Sequence, residues 1–207
     1  MKTFFAWQGG EGGDFVMHMI YWHVYGTIPN VNAIGRQEIA KPVKNFKINT
    51  HRLIKCHVPW TDRYFLNTKQ KSIILLHNPD PVVWAKKRVI KLADEPKLQL
   101  TGKRHLDKKI LSAFKQNDLE EAYYWAAGYY INIRENYRYS MQKLLDKTAH
   151  LLIENNMITI DDVTNTVQSV MRYLGLDDTL STDMQTEIQT YSKKQQHIID
   201  TTWNYIV

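Results

Sequence analysis

The sequence predicts a single α/β domain in which a mostly parallel β-sheet is flanked by helices, with a helix-rich C-terminal half. Short apolar runs end at Gly, Asn or Pro, as buried strands do, and two of them lead into longer stretches with helical character. Strands that alternate with helices are typical of a sheet covered on both faces. One domain over residues 1–207 fits the length that a single core usually serves.

The first predicted strand covers residues 3–8, an aromatic-rich run that stops at a cluster of glycines. The cluster consists of Gly9, Gly10, Glu11, Gly12 and Gly13. Residues 15–22 follow with the length of a buried helix, and Asp14 is expected to cap it. Because turn N–H groups and a helix N-terminus attract phosphate or sulfate, this order favours an anion-binding site. The alternative for the glycines is an ordinary surface turn.

Two further strands are predicted at 52–58 and 72–76, because each apolar run is stopped by a proline nearby. Residues 27–50 are predicted to be a connection, since Pro, Gly and Asn are scattered through them without periodicity. Pro81 suits the first turn of a helix over 82–92. The pattern of strand, turn and helix therefore occurs twice.

The second half of the chain is predicted to be mainly helical. Residues 107–148 are expected to form two or more aromatic-rich helices, and the segment 151–160 is expected to contain one more strand. Asp161 or Asp162 is then expected to cap a helix that runs through Tyr173 and ends at Gly175. The remaining residues are expected to form helix on the surface.

Composition and charge exclude several classes of protein. The single cysteine, Cys56, rules out an internal disulfide, and no Cys and His cluster has the spacing of a zinc site, so no metal is expected. No apolar run approaches the roughly 18 residues of a membrane span, and a cytoplasmic protein is expected. The net charge of +6 suits an anionic ligand, but the basic residues are scattered, so nucleic-acid binding is not expected.

Three segments at predicted strand ends carry a resemblance to a known family. They are the glycine cluster with Asp14 and Phe15, the run Arg52-Leu53-Ile54-Lys55-Cys56-His57-Val58-Pro59, and the run Ser72-Ile73-Ile74-Leu75-Leu76-His77-Asn78-Pro79-Asp80. Together they resemble the sulfotransferases that use 3′-phosphoadenosine 5′-phosphosulfate, a branch of the P-loop nucleotide-binding fold. The family patterns are a Pro-Lys-Ser-Gly-Thr-Thr-Trp loop, a strand ending Lys-Thr-His-Leu-Pro and a strand ending Arg-Asn-Pro.

A fourth similarity extends the resemblance to residue 176. Residues 160–163 look like the family's Tyr-Glu-Asp-Leu strand end, and 172–176 look like its later Phe-Leu-Gly. The resemblance implies a P-loop, sulfotransferase-like fold over this part of the chain.

The resemblance also implies an activity and a set of site residues. A sulfuryl group would pass from 3′-phosphoadenosine 5′-phosphosulfate to a hydroxyl or amine of a small-molecule or glycan acceptor. His57 would be the general base and Lys55 would help to hold the sulfuryl group. The donor would be bound by the residues at the ends of the first and third predicted strands, which are Gly9, Gly10, Glu11, Gly12, Gly13, Asp14, Phe15, His77 and Asn78.

The sequence departs from the family at the donor site. Gly10 or Glu11 stands in place of the loop lysine, His77 in place of the arginine, and Ala85 in place of the second phosphate-binding serine. Glu11 would repel a bound anion unless it pointed away, and an alternative role for it is that of a base. These departures favour a second hypothesis, a non-catalytic protein that keeps the fold to bind a nucleotide, another anion or a partner.

Each candidate residue also has a purely structural interpretation. Lys55 and His57 alternate along a strand end, and His77 and Asn78 precede a proline as turn residues do. The aromatic residues of 123–139 fit a helical core as well as an acceptor pocket. Phosphoryl transfer is disfavoured, because no Gly-Lys-Ser/Thr ending of a Walker loop is present.

Overall fold

The computed structural model of the chain describes residues 2–7, 12–27, 45–49, 51–57, 71–77, 80–94, 105–128, 130–132 and 150–203. Its strands are β1 (Lys2–Trp7), β2 (Asn45–Ile48), β3 (His51–His57), β4 (Lys71–His77) and β5 (His150–Glu154). Its helices are α1 (Gly13–Tyr25), α2 (Pro81–Asp94), α3 (His105–Lys115), α4 (119–128), α5 (Ile160–Tyr173) and α6 (Thr182–Trp203).

The strands form one mostly parallel sheet in the order β2-β3-β1-β4-β5. The central strand β1 runs parallel to β3 and β4, and β5 runs parallel to β4. In register, Trp7 lies opposite His57 on one side and Leu76 on the other, so the three strands end level. The predicted class, a mostly parallel α/β sheet flanked by helices, is confirmed.

The edge strand β2 lies within residues 27–50, where a connection without regular structure was predicted. It pairs with β3 in the antiparallel direction. Phe46 and Ile48 are buried and alternate with exposed residues, the pattern of a strand with one face in the core. The Tyr25 hydroxyl helps to hold the strand by donating to the Lys47 carbonyl at 2.9 Å. The strand was not predicted because an alternation over four residues is too short to be distinguished from a loop by sequence.

Helices cover both faces of the sheet. Phe5 and Trp7 point into a core that also holds apolar residues of α1, α5 and α6. Successive strand residues face opposite sides, so His77 points away from Leu76, which belongs to that core. The His77 ring lies near Tyr130, which packs with residues of α2, α3 and α4 in a second core.

The strand order has a topological switch point between β1 and β4. After β1 the chain continues through α1 to the side of β2 and β3, whereas after β4 it continues through α2 to the side of β5. Ligands of open α/β sheets bind at such a switch point, outside the carboxyl ends of the strands. The start of α1 lies at this edge.

The start of α1 differs from the prediction. Its N-cap is Gly12, which has a left-handed backbone with φ 82° and makes no side-chain cap bond. Glycine adopts this conformation without a steric penalty. The prediction that Asp14 caps the helix is wrong, because Asp14 lies within the first turn.

The start of α5 also differs from the prediction. The prediction of one more strand within 151–160 is confirmed by β5, which ends at Glu154. Thr159, not Asp161 or Asp162, is the N-cap, and its hydroxyl accepts from the Asp162 N–H at 3.1 Å. Residues 160–163, compared above with a strand end, are the first turn of this helix. The helix ends before Gly175, close to the predicted end.

The helix α6 is not confined to the surface as predicted. Met184, Ile188 and Ser192 are buried, and the helix packs against both α5 and α2. Within the described residues, no helix has both the length and the apolar character that a membrane span requires.

Candidate anion-binding site

Several residues predicted to form the site meet at the carboxyl edge of the sheet. Lys55 and His57 lie at the end of β3, beside the end of β1, and α1 begins at Gly13 directly after the glycine cluster. Gly9, Gly10, Glu11 and Asn78 lie outside the described residues. The backbone of His57 lies in register with Trp7, and the description does not extend to its side chain.

Gly12 and Gly13 are held closely by the protein itself. A Cβ atom on Gly13 would lie 2.1 Å from Cδ2 of Trp7, so only glycine lets α1 begin this close to β1. A Cβ on Gly12 would lie 2.7 Å from the Tyr191 hydroxyl and 3.2 Å from the terminal methyl of Met157. The glycines at the start of α1 therefore serve packing, whatever ligand the turn binds.

Lys55 is the cation nearest to the start of α1 among the described residues of the site. Its ammonium group forms an ion pair with the carboxylate of Asp14 in the first turn of that helix. The Lys55 Nζ also lies 5.2 Å from the ring centroid of Trp7, a distance at which a cation is attracted to an aromatic face. The side chain of Lys55 is 10% exposed and that of Asp14 is 39% exposed.

Helix α6 covers the start of α1. The ring of Tyr191 stacks on Phe15 with centroids 4.0 Å apart and an interplanar angle of 23°. The neighbouring Ser192 hydroxyl donates to the Ile158 carbonyl in the segment after β5. Burial raises the pKa of Tyr191, and the nearby Asp14 carboxylate raises it further, so the hydroxyl stays protonated and able to donate at neutral pH.

Sequence reasoning missed Tyr191, because the residue lies on a helix far along the chain from the glycines. The spacing of Met184, Ile188 and Tyr191 was the available signal, since it predicts an inward-facing stripe on α6. That signal indicates a buried face and does not indicate which part of the protein the face covers.

His77 is placed in the interior. It is 3% exposed, and its ring lies 6.4 Å from that of Tyr130 with the planes 18° apart. Its carbonyl accepts the Asn155 N–H at 3.1 Å, which joins the end of β4 to the segment after β5. Ala85 is buried in the second core, so neither residue lies on the side of the sheet where Lys55 meets α1.

Asp80 caps the helix α2, which begins shortly after His77 at the end of β4. Its carboxylate accepts the N–H groups of Val82 at 2.8 Å and Val83 at 3.3 Å, so it caps α2. Pro81 occupies the first helical position, as predicted.

The aromatic segment 123–139 is divided between core and surface where it is described. Tyr130 is fully buried between Trp84 and the end of β4, and Tyr124 is 71% exposed. Burial raises the pKa of Tyr123 to about 12. Residues 133–139 lie outside the described part of the chain.

The comparisons were made with family models, curated proteins and solved structures. None of the three gives a match. The sheet, the cores and the geometry at the start of α1 are therefore the basis for a functional proposal. That geometry combines one nearly buried cation, the positive end of a helix dipole and a tyrosine hydroxyl, a set that can bind a single oxyanion.

Proposed function

We propose that the chain binds a sulfated or phosphorylated adenine nucleotide at the start of α1 and transfers a sulfuryl group from 3′-phosphoadenosine 5′-phosphosulfate to an acceptor. The observation that carries the proposal is the position of Lys55, whose ammonium group lies at the first turn of α1. The topological switch point at the same edge of the sheet supports it.

The electrostatics at this position favour an oxyanion. A nearly buried ammonium group is screened weakly, so its attraction for an anion is several times stronger than in water. The first N–H groups of a helix have no intrahelical acceptor and add a partial positive charge. Together these groups would stabilise the negative charge that develops on a sulfuryl group or on the departing phosphate.

His57 is the proposed general base. Its backbone lies two residues after Lys55 on β3 and level with the end of β1. In the reaction His57 would take the proton of the acceptor hydroxyl or amine as the acceptor attacks sulfur. The bond from sulfur to the phosphate oxygen of the donor would break, leaving adenosine 3′,5′-bisphosphate.

The second candidate function is binding of the nucleotide or of another anion without catalysis. Two observations favour it: Lys55 already has a carboxylate partner, and His77 lies in the interior on the other face of the sheet. Of the residues compared above with the family's phosphate contacts, His77 and Ala85 are described, and both lie on the face of the sheet opposite to Lys55.

A transfer assay distinguishes the two candidates. The protein is incubated with 3′-phosphoadenosine 5′-phosphosulfate and a pool of hydroxyl and amine acceptors, and released adenosine 3′,5′-bisphosphate is measured. We expect acceptor-dependent release, and at least a hundredfold slower release by His57→Ala, because general-base catalysis contributes about 10²–10⁴ in rate.

The control is His150→Ala, which removes an exposed histidine at the amino end of the edge strand β5 and should not change the rate. Release that is absent, or unchanged in His57→Ala, would contradict the proposed transfer. Nucleotide binding without release would support the non-catalytic candidate.

A further inference from the structure

We infer that Asp14 is an internal competitor for the proposed site, a carboxylate that a bound anion displaces from Lys55. This inference rests on the proposed function and concerns the regulation of that same site. The carboxylate stands in the first turn of α1 and is paired with the Lys55 ammonium group. It thus already makes the two favourable interactions that the oxyanion of a ligand would make, one with the helix end and one with the cation.

The exposures of the two side chains decide which partner is displaced. The side chain of Asp14 is 39% exposed, so its carboxylate can turn into water and remain solvated. The side chain of Lys55 is 10% exposed, and a buried ammonium group without an anion carries a large desolvation penalty. An exchange in which a ligand replaces Asp14 keeps Lys55 paired throughout.

The surroundings limit how far Lys55 itself can move. Its ammonium group lies over Trp7, and Trp7 is fixed against Gly13, where even a methyl group would collide. At the start of α1 Tyr191 stacks on Phe15, and a Cβ on Gly12 would lie 2.7 Å from the Tyr191 hydroxyl. The exchange is therefore a rotation of the Asp14 side chain within an otherwise rigid site.

The exchange makes binding weaker than the cation and the helix end alone would allow. The ligand must compete with a tethered carboxylate for Lys55, and the displaced carboxylate remains close enough to repel the ligand. Asp14 therefore reduces the affinity for anions, and its neutralisation should increase that affinity.

The test is the variant Asp14→Asn, titrated calorimetrically with adenosine 3′,5′-bisphosphate next to the wild type. We expect a Kd about tenfold lower or more, because one unit of charge a few ångströms from the ligand is removed. The midpoint of thermal unfolding without ligand should fall, since Lys55 loses its partner, and added ligand should raise it by more than in the wild type.

The matched control is Asp183→Asn, which makes the same change in the first turn of α6, where Asp183 is exposed. This variant should bind as the wild type does. If Asp14→Asn does not fold, Asp14→Ser repeats the test with a residue that helix N-termini accept well.

The outcomes separate the inference from the proposed function. Binding that is tighter in the Asp14 variant, and not in Asp183→Asn, supports the exchange, even if binding by the wild type is too weak to detect. If the wild type binds and the Asp14 variant binds equally or more weakly, Asp14 holds Lys55 ready for the ligand and the inference fails, whereas the proposed site stands. If no variant and no wild-type protein binds, both fail.

Discussion

Gly12 and Gly13 are neighbours, but each must be glycine for a different physical reason. Gly12 has φ 82°, a left-handed conformation that costs other residues energy. Gly13 is instead required by distance, because its missing side chain leaves room for the ring of Trp7. The sequence shows the cluster of glycines. Only the packing of α1 on β1 shows which glycine is required by its backbone conformation and which by the close approach of a neighbouring ring.

Substitution of Gly13 tests that packing. Gly13→Ala should lower the free energy of unfolding by about 2–3 kcal/mol, as overpacking of a rigid core does. Gly128→Ala is the control, because a Cβ at that helical glycine would meet nothing within 4 Å. It should raise the free energy of unfolding by about 0.5–1 kcal/mol, since alanine favours helix more than glycine. Urea unfolding measures both, and equal effects of the two changes would refute the close approach.

Lys55 shows how far the sequence predicts the site at the level of single residues. The family resemblance implied that Lys55 holds a sulfuryl group, and in the structure its ammonium group lies at the start of α1. Asp14 was also named as a site residue, but its pairing with Lys55 was missed, because the two residues are 41 positions apart and pair only after β3 lies beside β1. Tyr191 was missed for the same reason, because most of the chain separates it from its contact Phe15.

Among the elements, α6 connects the site to the rest of the fold. The helix packs on α5 and on α2, and its Tyr191 stacks on Phe15 in the first turn of α1. Ser192 is buried and its hydroxyl bonds the Ile158 carbonyl just before α5. This bond fixes α6 to the segment between β5 and α5.

Removal of the Ser192 hydroxyl tests this connection. Ser192→Ala should lower the free energy of unfolding by about 1–2 kcal/mol, because a buried carbonyl loses its donor. Thr186→Ala on the same helix removes an exposed hydroxyl that bonds only back to the Thr182 carbonyl, and should change stability by less than about 0.5 kcal/mol. An effect of Ser192→Ala no larger than that of Thr186→Ala would show that this bond does not secure the helix.

At the scale of the whole molecule, the sequence predicted the centre of the sheet better than its edge. The cores of β1 and β4 are continuous apolar runs, which are visible without tertiary information, and β3 was found from its shorter apolar run before Pro59. β2 was missed because four residues with two inward side chains show too little alternation. The N-caps of α1 and α5 were predicted two or three residues too late. The close packing of Gly13 on Trp7 decides where α1 begins, and the Thr159 hydroxyl, which accepts the Asp162 N–H, caps α5.

The strand order, which sequence reasoning did not give, supplies the argument for function. With β3 and β4 on opposite sides of β1, the carboxyl ends of all three strands lie at one edge of the sheet. The glycine cluster enters α1 at this edge, and Lys55 reaches the same point from the neighbouring strand. The proposed site for an anionic ligand thus combines residues of α1 and β3 that are far apart in the sequence.

The measurement that tests this site most directly is a calorimetric titration of the protein with adenosine 3′,5′-bisphosphate, repeated with Lys55→Met and Lys47→Met. The first variant keeps an unbranched side chain over Trp7 without the charge, and the second removes an exposed lysine of β2 as the control. The predicted result is micromolar binding by the wild type and by Lys47→Met, with at least about tenfold weaker binding by Lys55→Met. Binding that is equal in all three proteins, or absent from the wild type and from the Asp14 variant, would contradict an anion site at the start of α1.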